Sequence, residues 1–226
     1  MATSNTSADR IRQKKKLFLA REQRIIETTL ALLLEQSIDR VTVSKIAIRA
    51  GIGKGTVYKH FLTKNEILIR IVLDYERHLT DTLAIGIEKA ENGDPGAAAK
   101  AYFQARLEHP ERDRLMQNLE VRLIDSGEVS EQIEELHQLR RSNENALEGL
   151  MTHLIRQDIL EDVPPHYHYL ACWALAQGAV ELCFNKSWNY RTDNSELMEF
   201  ITNIGVTMGN RGQYRSSNSN KKKSNK

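Results

Sequence analysis

Apolar residues recur at helical spacing along most of this chain, and the interruptions between the runs are short. Ile26, Leu30, Leu33 and Leu34 stand at i, i+4, i+7 and i+8, which predicts a helix from about Ala20 to Gln36. After the connector SIDRV, Val43, Ile46, Ala47 and Ala50 repeat the same pattern over a shorter stretch. Thr42 stands just before them as an N-cap, its hydroxyl able to accept an otherwise unpaired N–H. Gly51 stands just after, as a C-cap that tolerates positive φ. A third helix, about Lys54 to His60, has only Val57 and Phe61 to bury. Thr63-Lys64-Asn65-Glu66 reads as a capping box and opens a long helix ending near Asn92. Its stripe runs through Ile67, Leu68, Ile71, Val72, Tyr75, Leu79 and Leu83, and about 27 residues span roughly 40 Å.

Beyond ENGDPG at 91–96, the clearest internal break, five more helices are predicted. They run from Ala97 to Glu108, from Pro110 to Ser126, from Ser130 to about Gln157, from about His166 to Trp188 and from Ser195 to Met208. His109-Pro110 and DVPPH separate neighbours, because proline cannot continue a helix but suits a first turn. No strand and no repeat is evident. The fold class expected is all-α with about nine helices.

Composition adds a division along the chain. Residues 1–80 carry 15 Lys and Arg against 8 Asp and Glu, residues 81–212 carry 12 against 22, and residues 213–226 carry five and none. A basic first third beside an acidic body places a polyanion-binding surface in that first third. Cys172 and Cys183, on one predicted helix, are separated by roughly 16 Å along its axis, too far to bridge. Reduced thiols and a cytoplasmic setting are therefore expected. No apolar run is long enough to span a membrane, and the polar, basic opening lacks the apolar segment of an export signal.

The chemistry concentrates in Thr42–Lys64. With Val57 and Phe61 inward, the third helix turns Lys54, Gly55, Thr56, Tyr58, Lys59 and His60 outward or to its flanks. Cationic and hydroxylic side chains, with a glycine for close approach, fit a helix that enters the major groove of double-stranded DNA. This is the helix-turn-helix arrangement. The basic run Arg10, Arg12, Lys14, Lys15 and Lys16 lies before it, as a solvated tail or as an arm reaching phosphates.

The motif resembles the TetR family of transcriptional regulators. The resemblance rests on Thr42, Ile46, Ala47, Ala50, Gly51 and Ile52, then Lys54, Gly55, Thr56, Tyr58, His60, Phe61, Lys64, Ile67 and Leu68 at their spacings. It covers about fifty residues with the preceding helix. Gly53 and Ser37 depart from the family pattern, where a serine and a glycine are commoner, and neither removes a DNA contact. The resemblance implies that Thr42, Ser44 and Lys45 hold phosphates, and that Lys54, Gly55, Thr56 and Tyr58 face bases or backbone. It implies Lys59 and His60 close by, and Lys64 clamping a phosphate at the start of the fourth helix.

It further implies a helical effector-binding and dimerisation domain whose last two helices pair with their twins. The domains expected are a disordered basic arm over 1–19, a DNA-binding domain over 20–65, an effector and dimer domain over 66–210 and a disordered basic tail over 211–226. Small residues at Ala171, Ala174, Gly178 and Ala179 would let two helices approach closely, making them candidates for a homodimer interface. Candidate pocket residues are Phe103, Met116, Leu119, Leu123, Leu147, Met151, Trp173, Gln177 and Phe184, an apolar set suited to a small lipophilic effector. No cofactor and no metal are expected. His166 and His168 diverge on a helix, and no nucleophile elbow or phosphate loop is present, so an enzyme is not expected.

The function read from the sequence is a dimeric, ligand-responsive regulator released by its effector from a palindromic operator, a repressor rather than an activator. An effector-independent or activating DNA-binding protein is the alternative, and a small all-helical enzyme a distant third.

Overall fold

The structure, a computed structural model, describes residues 7–185, 187 and 194–208. Among them are nine α-helices, one short 3-10 turn and no β-strand. The helices are α1 (Ser7–Glu35), α2 (Val43–Ala50), α3 (Lys54–Tyr58), α4 (Lys64–Glu91), α5 (Ala97–Leu107), α6 (Pro110–Ser126), α7 (Ser130–Arg156), α8 (Pro165–Phe184) and α9 (Asn194–Thr207). The 3-10 turn is Ile38–Arg40. Pro110 and Pro165 open α6 and α8 as expected from their fixed φ.

The largest departure from the sequence reading is at the start. Residues 7–19 belong to α1, although a disordered arm was expected over 1–19. The physical reason is local. No glycine or proline falls between Ser7 and Glu35, Asp9 lies in the positively polarised first turn, and Arg, Lys, Gln, Leu and Ala all favour helix. Residues 1–6 and the tail expected over 211–226 lie outside the described residues.

The chain divides into two compact units. The first runs to Tyr75 and includes Leu115–Glu134; the second holds Glu76–Arg114 and the chain from Glu135 onward. The boundary expected at residue 65 is therefore displaced. The opening turns of α4 are apolar on nearly every side, with Ile67, Leu68, Ile69, Ile71, Val72 and Leu73 all 3% exposed or less. Such turns belong in a core.

In the first unit, Ile25, Val41, Ile46, Ala50, Val57, Ile67 and Leu68 are fully buried, as are Leu119 and, at 1% exposed, Leu123. Thr29, also buried, satisfies its hydroxyl by donating to the Ile25 carbonyl 2.7 Å away. Leu34, expected on the buried stripe, is instead exposed.

The second unit has two apolar clusters. One gathers Phe103, Leu107, Ala176, Ala179, Val180, Met198 and Ile201 from α5, α8 and α9. The other gathers Ala90, Ala97, Ala98, Leu150, Leu154 and Leu160. Glycines set the closeness of two crossings: a Cβ on Gly86 would lie 2.8 Å from the Ala101 side chain, and one on Gly205 would lie 2.0 Å from the Phe103 ring.

A charged group is buried beside the first cluster. The Arg106 guanidinium donates through Nε and Nη2 to both oxygens of Asp113, at 2.9 and 2.8 Å. It also donates to the Tyr102 hydroxyl at 2.9 Å and the Gln177 carbonyl oxygen at 3.0 Å. Burial opposes the charge, yet the hydrogen bonds it donates to Asp113 and Tyr102, with the attraction of those groups, outweigh it and hold Arg106 protonated more firmly than usual.

Candidate nucleic-acid interface

Local signals build the motif. Thr42 is extended, and its Oγ1 accepts from the Lys45 N–H at 3.3 Å, capping α2. Gly51 adopts φ 66°, ψ 35°, the left-handed conformation, and Ile52 N–H reaches back to the Ala47 carbonyl at 3.0 Å. The chain thereby reverses in three residues and enters α3 without a long loop. Gly53 begins α3 with its carbonyl accepting from Thr56 N–H at 2.8 Å and offers no side-chain cap. α3 is a single short turn and a half, held to the domain by Val57 at 0% exposure and by Phe61 just beyond it.

With Val57 inward, Lys54, Gly55, Tyr58 and Lys59 are exposed and Thr56 is half-buried. The Lys54 ammonium lies 5.8 Å from the centre of the Tyr58 ring, so the two side chains form one cationic and aromatic projection. A Cβ on Gly55 would meet nothing within 4 Å, which leaves the backbone there open to approach. On the neighbouring α2, Thr42, Ser44 and Lys45 are exposed, and Lys45 Nζ donates to Gln36 at 3.2 Å. These residues can contact bases with hydrogen-bonding and apolar groups, and phosphates with ammonium groups.

Two expected contacts are used differently. The His60 side chain is only 2% exposed. Its ring lies 4.0 Å from the Phe18 ring of α1, and its Nδ1 is 3.8 Å from a Glu22 oxygen, beyond a hydrogen bond. His60 packs α3 against α1 and is not free to reach DNA. Lys64 Nζ donates to the Ile38 carbonyl at 2.7 Å. Partial burial lowers its pKa, Arg122 adds to the lowering, and Asp39 opposes it. Its ammonium thus ties the 3-10 turn to α4, and a free phosphate clamp is not what the side chain forms.

Several supporting residues carried no sequence signal. Arg49 of α2 makes a bidentate pair with Glu35 of α1, with Nη2 donating at 2.6 Å, and holds that carboxylate below its usual pKa range. Arg122 meets Asp39 at 2.6 Å, and Asn65 donates to Glu128 at 2.8 Å. The capping box forms with a shift of one residue. Glu66 N–H donates to Thr63 Oγ1, while the Glu66 carboxylate accepts from Leu62 N–H at 2.6 Å.

The expected pocket residues fall into separate surroundings. Met116, Leu119 and Leu123 are buried in the first unit. Phe103 is core of the second, Met151 packs on its other cluster, Leu147 is half-buried, and Gln177 is occupied by Arg106. Trp173 is 53% exposed, opposite to the expectation for a lining residue. Phe184 alone of the nine lines a shallow hollow of about 250 Å³ with Arg114, Gly178, Glu181, Leu182 and Asn185. Arg114 lies over its ring at 4.6 Å.

α8 is apolar over most of its circumference and packs on α5 and α9. Ala171, Ala174 and Gly178 are exposed with Tyr167, Leu170 and Trp173, and a Cβ on Gly178 would enter open space. Ala179, one position further round the helix, is 2% exposed within the unit's own core, which removes it from the expected interface. On α9, Phe200 and Ile204 are exposed. Both cysteines are free, and no helix among the described residues is long and apolar enough to cross a membrane.

The family model described as "Bacterial regulatory proteins, tetR family" matches residues 25–71, the stretch that holds α2, α3 and the capped start of α4. The chain is 24% identical over 201 residues to the nucleoid occlusion factor SlmA of Haemophilus ducreyi, covering 76% of this chain and 98% of that one. A TetR/AcrR-family regulator from Thermobifida fusca has a similar fold, with a TM-score of 0.66, 20% identity and coverage of 87% and 100%. So has the regulator FadR from Bacillus subtilis, solved in complex with stearoyl-CoA, with a TM-score of 0.60, 18% identity and coverage of 82% and 97%.

Proposed function

We propose that this chain, which belongs to the tetR family of bacterial regulatory proteins, is a dimeric repressor released from a palindromic operator by a small lipophilic effector. That it is a DNA-binding transcriptional regulator follows from the family. The observation that carries the site is the exposed set Lys54, Gly55, Tyr58 and Lys59 on a short helix held from its other side by Val57, His60 and Phe61. A helix this short reads few base pairs, so specificity calls for two copies on related half-sites. The exposed apolar stripe of α8, with Phe200 and Ile204 of α9, is a surface suited to a twin. An acyl-chain effector is supported by the stearoyl-CoA bound to one structural relative, a property of that protein. Effector binding would shift α4, which runs through both units, and so change the spacing of the paired α3 helices.

The test begins with selecting a binding site from random duplex and measuring the affinity of Tyr58→Ala and Lys54→Ala for it. Each is expected to lose about 1–3 kcal/mol of discrimination per half-site. Sequence-specific binding unchanged in both variants would overturn the assigned face. Adding a long-chain acyl-CoA should release the wild-type protein; retention across a panel of lipophiles would leave the effector-independent reading in its place.

A further inference from the structure

Five cations precede the three-helix domain, Arg10, Arg12, Lys14, Lys15 and Lys16, and the interface described above uses none of them. They ride on α1 itself, which begins at Ser7, and all five are exposed. Asp9 is the one acidic residue among positions 7–21. The helix places this charge at a defined distance from the recognition helix. Phe18 packs on His60 at the end of α3, and Glu22, one turn later on the same side of α1, faces the same imidazole. At 100° per residue, Lys14 and Lys15 flank the Phe18 direction one turn earlier, about 6 Å along the axis. The side of α1 that meets α3 therefore continues beyond it as two lysines.

Two polyanions could take such a surface, a nucleic acid duplex or an acidic bilayer. A helix lying on a bilayer needs its apolar residues on one side. Here Leu17 and Leu19 project about 100° to either side of Phe18, and Lys14 and Lys15 fall in the gaps between them. Apolar and cationic positions interleave, which suits phosphates approached from the side of α3 and does not suit insertion among lipids. The geometry points to the first turns of α1 as a second DNA-contacting element, with Lys14 and Lys15 holding phosphates of the strand that flanks the groove entered by α3. This inference rests on the DNA-binding reading of α3 and adds to it a contact that is indifferent to base sequence.

The experiment is fluorescence anisotropy of the full chain on two labelled duplexes of about 30 base pairs, the selected site and a scrambled one, across a series of salt concentrations. Lys14→Ala/Lys15→Ala should weaken binding to both duplexes alike. It should also lower the slope of log affinity against log salt by about two per bound protomer, at roughly 0.9 per phosphate contact. Lys14→Arg/Lys15→Arg should keep the wild-type slope. A wild-type slope in the alanine pair overturns the inference, and it leaves the α3 reading intact if Tyr58→Ala still loses the selected site. Failure of the wild-type chain to bind either duplex removes both. Sedimentation with phosphatidylserine vesicles separates the polyanions. Pelleting lost in the alanine pair while its duplex slope is unchanged would assign the lysines to a membrane instead.

Discussion

Arg106 and Asp113 face each other through two parallel hydrogen bonds of 2.9 and 2.8 Å, with only 6% and 4% of their side chains exposed. They stand seven positions apart, across the break between α5 and α6, so the pair ties the first turn of α6 to the end of α5. Arg106→Met leaves the Asp113 carboxylate buried without its main partner and should destabilise the fold by about 3–5 kcal/mol. Arg106→Met with Asp113→Leu should recover much of that loss, because it removes both charges together. Urea unfolding of the three proteins decides; a double variant no more stable than the single one would mean the pair is not the dominant contact.

His60 and Lys64 can be separated from true DNA contacts by comparing stability with affinity. His60→Ala empties the space under Phe18 and should lower stability by about 2 kcal/mol, at the low end for large-to-small substitutions of buried side chains. Lys64→Met removes a charge-assisted hydrogen bond to Ile38 and should cost about 1 kcal/mol. Both should bind operator with wild-type salt dependence well below their melting temperatures. A reduced salt slope with an unchanged melting temperature would place either side chain on the phosphates.

Gly205 and Gly178 give opposite expectations for the same substitution. Gly205→Ala forces a methyl into the Phe103 ring and should destabilise by about 1–3 kcal/mol, as overpacked cores do. Gly178→Leu meets open space within its own chain. It should fold as the parent does while weakening self-association, which analytical ultracentrifugation would read. An unchanged association constant would exclude Gly178 from the proposed self-association surface.

Cys172 is partly buried, and burial raises its thiol pKa to about 11 from an ordinary value near 9.0. At pH 8 its thiolate fraction, and hence its alkylation by iodoacetamide, should be lower than for a free thiol by roughly two orders of magnitude. The sign of the linked effect on stability follows. Between pH 9 and 11 the unfolded chain has lost this proton and the folded one retains it, so this group's contribution to stability falls as pH rises. Rapid labelling of Cys172 in the folded protein at pH 8 would contradict the burial.

What could be read from the sequence was what depends on neighbours in sequence. Thr42, Gly51, Thr63 with Glu66, Pro110 and Pro165 act within four residues of themselves, and each stands where its chemistry requires. The inward turn of His60 depends on Phe18 in another helix, and that of Lys64 on the carbonyl of Ile38, so neither could be seen from residue type. The N-terminal turns of α1 leave no mark in the pattern, because a polar helix has no apolar periodicity to reveal it. α8 failed in the opposite way. It is apolar over most of its circumference, and nothing in its pattern tells which half, Ala179 or Gly178, faces its own core.

The helical state of the basic run has one more consequence. Arg10, Arg12, Lys14, Lys15 and Lys16 form a dense set of trypsin cleavage sites, yet a protease must draw several residues into extended form before it can cut. On α1 those bonds become available only through fraying, whose free energy is smallest at Ser7 and grows toward Phe18. Digestion should therefore nibble inward from the end and slow sharply near the Phe18 contact, which makes the rate of trimming a gauge of how firmly this helix is held.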